Sequence, residues 1–564
     1  MSAYLPLGPV TRPVGLETEF GILEPGNPYA NAVAMASRVV DAYGEISRPG
    51  LPGAPAVRWD YEGEDPLADL RGGHLERASA HPSLLTDNPA LPAPSGQEPW
   101  PAREGPPPAP WGVRPRPSAA EAALPRATTA VLTNGARFYV DHAHPEYSSP
   151  ETLTPRDALV WDRAGEVVAR RAMHAAHRDA SGAPPCDVVL YKNNVDGKGA
   201  AYGSHENYLV RRDLPFECLA AALIPFLATR PVYAGAGRVG IGRRSEIPGF
   251  QISQRADYVG CDIGLQTTFN RPIVNTRDEP HADAARFRRL HVINGDANRF
   301  DVPIYLKVAA TDLLLWYLER AHDRGEGRGA LADLELTRDP VEEHWAFSRD
   351  TTLTYELPTA GGPMTALAIQ RAHLEAITGA VAADFGGTDA GSAGERVAAA
   401  LTLWEEVITA LEALADAPDD PAATTRAAAL VEWVAKRQLC EGLRARTGSS
   451  WEDARLAALD IQWADLRSGA SIVERLDAAG RIRRLCTDAE VEAAADIPPT
   501  GTRAAIRGAA VAGCPAVVGA SWSSLVLDSP GNPDLVRLSL PDGVVASTSE
   551  IAAILEAIGL GAPL

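Results

Sequence analysis

Two short stretches of the chain concentrate side chains that bind metals or transfer protons. Glu17 and Glu19 are two residues apart in an alternating segment, and Tyr139 and Asp141 have the same spacing in a second one. Because side chains alternate between the two faces of a strand, each pair shares a face. Two carboxylates on one face of a partly buried strand repel each other unless a cation lies between them. The pattern favours a metal held by carboxylates; solvated strand ends are the alternative.

Three further residues extend this candidate metal site. Glu146 follows Pro145, which we expect to interrupt the strand after Asp141 and to let Glu146 turn back to the same face. His205 and His291 lie in later polar segments, and each offers a neutral nitrogen ligand. The hypothesis requires the strand of Glu17 and the strand of Asp141 to lie side by side in one sheet.

Three arginines in polar segments, Arg255, Arg277 and Arg289, can bind phosphate oxygens through their guanidinium groups. Ordinary structural ion pairs are the alternative. A carboxylate-held metal with arginines nearby fits polyphosphate binding better than acyl transfer, and the sequence has no glycine-flanked serine nucleophile. The glycines of residues 235–240 formally match a dinucleotide fingerprint, but we reject it because the following segment leads to Pro248 and not into a helix.

Composition limits the class of protein. At 564 residues with 45% apolar residues, the chain predicts one large and one smaller globular domain. No stretch approaches the uninterrupted apolar length of a membrane span, and the N-terminus lacks the pattern of a secretory signal. Six dispersed cysteines favour reduced thiols in the cytoplasm over disulfides or a zinc ribbon. The net charge of −20 disfavours a nucleic-acid partner.

The order of predicted elements is that of an α+β protein. Strands dominate the first half, and packed helices follow from about residue 303. We expect a catalytic domain at 1–495 and a small C-terminal α+β domain at 496–564. Proline-rich residues from about 66 to 127 predict a long mobile loop inserted between two strands of one sheet. That loop is either a lid over the site or a passive linker.

Six motifs resemble the Pup ligase/depupylase family of actinobacteria over nearly the full length of the chain. They are residues 15–21 (GLETEFG), 139–147 (YVDHAHPEY), 192–199 (KNNVDGKG), 204–208 (SHENY), 275–283 (NTRDEPHAD) and 288–291 (RRLH). Within the family, Asp141–His144, Val195–Gly199 and the long insertion are similar to the depupylase/deamidase branch.

The resemblance implies a glutamine-synthetase-like fold, in which a curved antiparallel sheet packs on helices and cradles a nucleotide and Mg²⁺. It implies removal of the modifier Pup from target lysines and deamidation of Pup's C-terminal glutamine, so that Pup and pupylated proteins are the partners. ATP, or ADP plus phosphate, would be a bound cofactor that is not consumed. Asp141 would be the catalytic carboxylate, Arg255, Arg277 and Arg289 would contact phosphates, and the metal ligands would be Glu17, Glu19, Tyr139, Glu146, His205 and His291.

Three positions depart from the usual depupylase pattern: Cys261, Gln266 and Asp301. They leave open a divergent paralogue that acts on another amide. Two more hypotheses are an ATP-consuming carboxylate–amine ligase of the same family and a catalytically silent binding protein.

Overall fold

Helices and strands alternate through the described chain, in agreement with the predicted α+β class. The computed structural model describes residues 10–81, 84–85, 111–116, 128–177, 187–385, 391–529, 531–541 and 546–560. The strands are β1 (Val14–Glu19), β2 (Gly21–Leu23), β3 (Arg58–Trp59), β4 (Trp111–Arg114), β5 (Thr129–Val131), β6 (Arg137–Asp141), β7 (His144–Ser148), β8 (Val189–Tyr191), β9 (Ser204–Arg211), β10 (Arg238–Ile241), β11 (Ile247–Gln251), β12 (Val259–Gly264), β13 (Arg271–Asn275), β14 (Phe287–Val292), β15 (Glu356–Thr359), β16 (Gly362–Thr365), β17 (Val517–Ala520), β18 (Ser524–Leu527) and β19 (Leu535–Ser539).

The helices lie between and after these strands. They are α1 (Ala32–Ile46), α2 (Pro155–His177), α3 (Phe216–Thr229), α4 (Pro231–Ala234), α5 (Asp301–Arg324), α6 (Pro340–Arg349), α7 (Ala366–Phe385), α8 (Gly391–Asp416), α9 (Pro421–Leu430), α10 (Glu432–Thr447), α11 (Ala454–Ala464), α12 (Ile472–Ala478), α13 (Asp488–Ala494), α14 (Arg503–Gly513) and α15 (Thr548–Ala557).

The main sheet has eight strands in the order β12-β13-β14-β9-β1-β7-β6-β5. All its neighbours pair antiparallel except β12 and β13, which are parallel. On β1, Leu16 and Thr18 are buried on one face, as the alternation predicts. The sheet is therefore core-forming on that face and carries its polar residues on the other.

Helix α2 covers the apolar face of this sheet. Thr18 Oγ1 donates to Asp162 of α2 at 3.3 Å, which ties the central strand to the helix. Gly165 lets α2 approach closely, because a Cβ there would lie 2.5 Å from the ring of Tyr147 on β7. Helix α5 is buried along almost its whole length and completes the core with the other helices. Trp404, Trp433 and Trp463 are buried in this core.

A second core belongs to a five-stranded sheet in the order β3-β17-β18-β19-β4. Two of its strands, β3 and β4, come from residues 58–59 and 111–114, far ahead of the C-terminal segment. The domain boundary at residue 496 stays a prediction. The sheet of the C-terminal part is completed by strands from the first part of the chain.

The proline-rich insertion is described only in part. Its flanking strands β3 and β5 belong to different sheets, so the expectation that it joins two strands of one sheet is wrong. Residues 66–70 are packed, since Leu67 and Leu70 are buried and the amide of Leu70 donates to the Thr276 carbonyl at 2.6 Å. Residues 82–83, 86–110 and 117–127 of the predicted loop lie outside the described residues.

One stretch reaches the length and apolarity of a membrane span, contrary to the sequence expectation. It runs from Phe216 to Ala234 through α3 and α4, with a mean hydropathy of 1.2. In the described structure, 78% of it is buried inside the protein, as expected for a core helix.

Candidate active site

The polar face of the main sheet brings the predicted site residues into one row. Glu17 on β1 pairs with His205 on β9, and Glu19 on β1 pairs with Glu146 on β7. Glu146 pairs in turn with Tyr139 on β6. Strand β7 lies between β1 and β6, so the prediction that the strands of Glu17 and Asp141 are direct neighbours is wrong. Their acidic side chains nevertheless share one face.

The β6–β7 hairpin places Asp141 at the rim of this face. Asp141 pairs with His144 across a two-residue turn, in which His142 adopts a φ of 50°. Pro145 lies inside β7, opposite Val140, so the expectation that it ends the strand is wrong. The chain reverses at His142 and Ala143 instead. His142 Nδ1 lies 3.0 Å from Asp141 Oδ2 and holds that carboxylate at the end of the strand.

A first cluster of possible metal ligands consists of Glu17, His205 and His291, whose ligand atoms lie within 4.8 Å of one another. His205 Nδ1 is 3.1 Å from Glu17 Oε2. Asn207 connects the cluster, because its amide donates to Glu17 Oε1 at 3.0 Å and its oxygen lies 2.8 Å from His291 Nδ1. A proton on Nδ1 of His291 leaves its Nε2 lone pair available to a metal.

The surroundings of the first cluster lower the pKa of both Glu17 and His291. Burial opposes ionisation of Glu17, but the hydrogen bond with His205 and the positive charge of Arg289 outweigh it, and the pKa of Glu17 is lowered. Burial and the positive charge of Arg289 hold the pKa of His291 well below its usual value. An ionised carboxylate therefore faces a neutral imidazole, which is the state that binds a cation.

A second cluster consists of Glu19, Asp141 and Glu146, again within 4.8 Å. Burial, together with the charges of Asp141, Glu17 and Glu19, raises the pKa of Glu146 well above its usual value. Burial opposes ionisation of Asp141 as well, but its hydrogen bond with His142 lowers its pKa. Three carboxylates in one small space are unfavourable without a cation, and this repulsion is the electrostatic mark of a metal site.

The donor atoms of the two clusters suit metals of different character. Three carboxylates match the oxygen ligands that Mg²⁺ prefers, so Glu19, Asp141 and Glu146 fit this ion. The first cluster offers one carboxylate and two imidazoles, a set that also suits Mn²⁺. Tyr139 adds its hydroxyl beside Glu146, and the guanidinium of Arg137 lies 3.9 Å from the centre of its ring.

The predicted phosphate-binding arginines lie at two ends of the row. Arg277 and Arg289 lie together at the Glu17 end, where Glu279 Oε2 is 3.1 Å from Arg277 Nη2 and 3.6 Å from Arg289 Nη2. Arg255 lies apart, at the Glu19 end, and donates to the carbonyls of Tyr202 at 2.8 Å and Ile293 at 3.0 Å. The structure therefore brings two of the three arginines together and places the third among backbone carbonyls.

A cavity opens beside the Glu17 end, between the main sheet and the C-terminal part. Its lining residues come from β1, β7, β9, β14 and adjoining loops and from the C-terminal segment: Pro13, Val14, Gly15, Leu16, Glu17, Ser148, Ser149, Glu151, Asn207, Tyr208, Leu209, Pro280, His281, Arg289, Arg503 and Trp522. It combines an apolar floor, an aromatic ring and cationic groups next to the first candidate metal cluster. Such a lining suits a nucleoside whose phosphates point to Arg289 and Glu17.

Sequence reasoning assigns no role to several residues of the site. Asn207 and His144 lie on the site face, the latter with Nδ1 3.6 Å from Glu19 Oε2. The strand alternation that places Glu17 and Glu146 also places them, because each is two residues from an assigned ligand. His142 and Arg271 give no such signal, since a turn and a strand start have no periodic pattern.

None of the three departures from the depupylase pattern is a member of either cluster. Cys261 lies on the edge strand β12, and Gln266 follows it. Asp301 is buried at the start of α5 and bonds Arg163 at 2.5 Å, Arg484 at 3.2 Å and the Leu485 amide at 2.9 Å. Asp301 is therefore a structural anchor between segments.

Comparison with known proteins gives concordant results. The family model described as Pup-ligase protein matches residues 12–526. The Pup deamidase/depupylase of Mycolicibacterium smegmatis is 40% identical over 550 residues, which cover 97% of this chain and 97% of that protein. The depupylase of Acidothermus cellulolyticus is 41% identical over 97% of this chain and 96% of its own length. The Pup–protein ligase of Bifidobacterium adolescentis is 37% identical, but over 75% of this chain and 84% of its own length.

Two solved structures share the fold. The ligase PafA in complex with the prokaryotic ubiquitin-like protein Pup is similar with a TM-score of 0.70 and 28% identity, over 98% of this chain and 92% of that one. PafA in complex with ADP is similar with a TM-score of 0.66 and 32% identity, over 78% of this chain and 91% of that one. The fold is therefore the glutamine-synthetase-like fold of these enzymes, as predicted.

Proposed function

The chain belongs to the Pup-ligase protein family, and on that premise we propose that it is an amide hydrolase that removes Pup from target lysines and deamidates Pup's C-terminal glutamine. The observation that carries the proposal is the position of Asp141 in a three-carboxylate cluster at the rim of the sheet. Similarity to the deamidase/depupylases along 97% of the chain, against 75% for the ligase, supports the hydrolytic branch.

The proposed cofactors are ATP, or ADP plus phosphate, and Mg²⁺. The nucleoside would occupy the cavity beside Trp522, and Arg277 and Arg289 would contact its phosphates. The complex of PafA with ADP supports nucleotide binding by this fold. Arg255, the third predicted phosphate contact, lies at the opposite end of the row and would contact phosphate there.

Both metal clusters contribute to the proposed site. The ligands are Glu17, His205 and His291 in one cluster, and Glu19 and Glu146 with Tyr139 beside them in the other. Bound magnesium would supply positive charge next to the carbonyl oxygen as negative charge develops on it.

Asp141 is the proposed catalytic carboxylate. Its lowered pKa keeps it ionised at neutral pH, and it either attacks the amide carbonyl or takes a proton from an attacking water. In either route the C–N bond of the amide breaks, the nitrogen leaves with a proton as lysine amine or ammonia, and water supplies the oxygen of the new carboxylate. His142 orients Asp141 through their hydrogen bond, and the hairpin turn presents both at the rim.

The proposed partners are Pup and pupylated proteins. The proposed location is the cytoplasm, because the five described cysteines are free thiols.

The test is to incubate the purified protein with a Pup conjugate, Mg²⁺ and ATP, and to follow both the release of Pup and the hydrolysis of ATP. We expect many conjugates to be cleaved for each ATP turned over. ADP and phosphate formed in step with a new isopeptide bond would instead identify the ATP-consuming ligase. No change in any Pup substrate would leave a divergent paralogue that acts on another amide.

A further inference from the structure

Arg271 is a cation that the proposed reaction has not yet used. It opens β13, is half-buried, and its Nη2 donates to the Ala201 carbonyl at 3.0 Å. Its Nε is buried without a hydrogen-bond partner. No carboxylate lies within ion-pair distance of Arg271 in the described parts of the chain. Burial lowers its pKa to about 9, with a further contribution from Arg255, so its positive charge is poorly compensated.

A second arginine lies directly beside it. Arg255 donates to the carbonyl of Tyr202, the residue after the one that Arg271 contacts. The next carbonyl, that of Gly203, accepts the backbone amide of Glu19 at 3.1 Å. Two consecutive carbonyls thus hold the two guanidinium groups, and the third ties this segment to Glu19 of the second acidic cluster. Arg255 also lacks a carboxylate within ion-pair distance among the described residues, and a buried and a half-buried like charge side by side are unfavourable unless an anion binds between them.

The position of this pair distinguishes it from the nucleotide end. Arg277 and Arg289 lie with Glu279 beside the cavity, at the Glu17 end of the row. Arg271 lies at the Glu19 end, because the Ala201 carbonyl that it contacts is two residues before Gly203, whose carbonyl accepts the amide of Glu19. An anion bound by Arg271 would therefore lie at the end of the row that carries Asp141.

We propose that Arg271 binds the free α-carboxylate of the C-terminal residue of the modifier. The inference rests on the proposed function, in which the reacting amide is in the side chain of that residue, so the α-carboxylate remains free in both substrates. Four carbon–carbon bonds separate the two groups, a span of about 5 Å. A guanidinium group holds a carboxylate through two parallel hydrogen bonds, which fix the direction of the side chain as well as its distance. Arg271 would thus orient the amide toward Asp141 and select the terminal residue over internal glutamines.

The test compares two synthetic peptides of the C-terminal part of Pup, one ending in glutamine with a free α-carboxylate and the other with an α-carboxamide. Ammonia release gives kcat/KM for each. We expect the unaltered protein to prefer the free acid by about 100-fold, the range for a charge-assisted bidentate contact. Arg271→Gln should lower kcat/KM for the free acid by a similar factor, leave the α-carboxamide within about 3-fold, and so remove the preference. Arg271→Lys keeps the positive charge but lacks the paired N–H donors of a guanidinium group, so it should restore part of the preference for the free acid.

Arg324→Gln is the matched control, because Arg324 is exposed at the end of α5 and pairs with Asp384 at 2.7 Å. It should retain the full preference. An equal loss of activity on both peptides in the Arg271 variants would show that the residue only supports the structure. Weaker binding of ADP or inorganic phosphate with the preference intact would assign Arg271 to phosphate. If the unaltered protein hydrolyses both peptides equally, the inference fails and the proposed function stands; if it releases no ammonia from the free acid, the deamidase function itself fails.

Discussion

Replacing Asp141 by asparagine should abolish hydrolysis and make the metal-free protein slightly less stable. Asparagine keeps the shape of the side chain and an oxygen that can accept from His142, but it can neither attack a carbonyl nor take up a proton. We expect kcat for Pup conjugates to fall at least about 1000-fold, or about 4 kcal/mol in the barrier. The affinity for ADP should change little, because Arg277, Arg289 and the cavity lie at the other end of the row.

The loss in stability follows from the charge balance of the second cluster. Ligand atoms of Glu19, Asp141 and Glu146 lie within 4.8 Å of one another, and two unit charges at that distance repel by about 3.5 kcal/mol at an effective dielectric constant of 20. Glu146 escapes part of this repulsion by holding a proton, as its raised pKa indicates. Burial opposes ionisation of Asp141, but its hydrogen bond with His142 outweighs it and lowers the pKa of Asp141, so the ionised form of Asp141 stabilises the folded protein. We therefore expect Asp141→Asn to lower the free energy of unfolding by about 1 kcal/mol in EDTA.

Magnesium should widen that difference. Binding to the folded state stabilises the original protein in proportion to the logarithm of metal concentration, and the variant has one carboxylate fewer beside the ion. Melting temperatures of both proteins in EDTA and in a magnesium series show how the difference grows. Asp262→Asn is the matched control, because Asp262 is exposed on the edge strand β12 of the same sheet. Retained hydrolysis in the Asp141 variant would remove Asp141 from the mechanism, and a higher melting temperature of the variant in EDTA would refute the charge-balance argument.

Two further substitutions test the support of the site. Gly203→Ala would place a Cβ against the His205 ring and 2.6 Å from Glu19 Oε1, so titration with Mg²⁺ or Mn²⁺ should show a metal affinity at least about 10-fold weaker. In the control Gly15→Ala, the nearest atom to the new Cβ is 3.9 Å away, and the metal affinity should be unchanged. Glu151→Gln removes the partner of Arg507 on α14. Arginine charges outweigh burial and lower the pKa of Glu151 to about 2, so the original protein should lose about 2 kcal/mol of unfolding free energy as the pH falls from about 4.5 to 2. Urea titrations should show that the variant lacks this part of the acid dependence.

The alternation of side chains between the two faces of a strand accounts for much of the site prediction, because the face on which a side chain lies depends only on its neighbours in sequence. The same-face pairs Glu17/Glu19 and Tyr139/Asp141 follow from it, and so does the core face of β1. The order of strands does not. Nothing in the sequence near Glu17 shows that β7 separates β1 from β6, because that order depends on pairing between distant segments.

The errors have the same non-local origin. Strand β3 has only two residues and joins β17, which lies more than 450 residues later, so no local pattern reveals the five-stranded sheet. Proline ordinarily ends a strand because it has no N–H to donate. Strand β7 tolerates Pro145 because the Val140 amide opposite it donates to the Thr128 carbonyl at 3.0 Å and the Pro145 carbonyl accepts from the Phe20 amide at 2.8 Å, so this pair is not joined by a ladder hydrogen bond. Closeness in sequence groups Arg255 with Arg277, although the sheet places them at opposite ends of the row.

The separation of those two ends bears on how one fold can either consume a nucleotide or keep it. Arg277, Arg289 and the cavity lie at the Glu17 end beside the first cluster, whereas Asp141 of the second cluster lies with His142 and Arg271 at the Glu19 end. In the proposed function, a nucleotide at the first end would stay bound while amides enter and leave at the second, so hydrolysis would not require its turnover. The fold alone therefore does not separate a ligase from a hydrolase. The difference must arise at the Asp141 hairpin, where the acyl group meets either a lysine amine or water, and the ratio of conjugates cleaved to ATP consumed is the measurement that reports which one arrives.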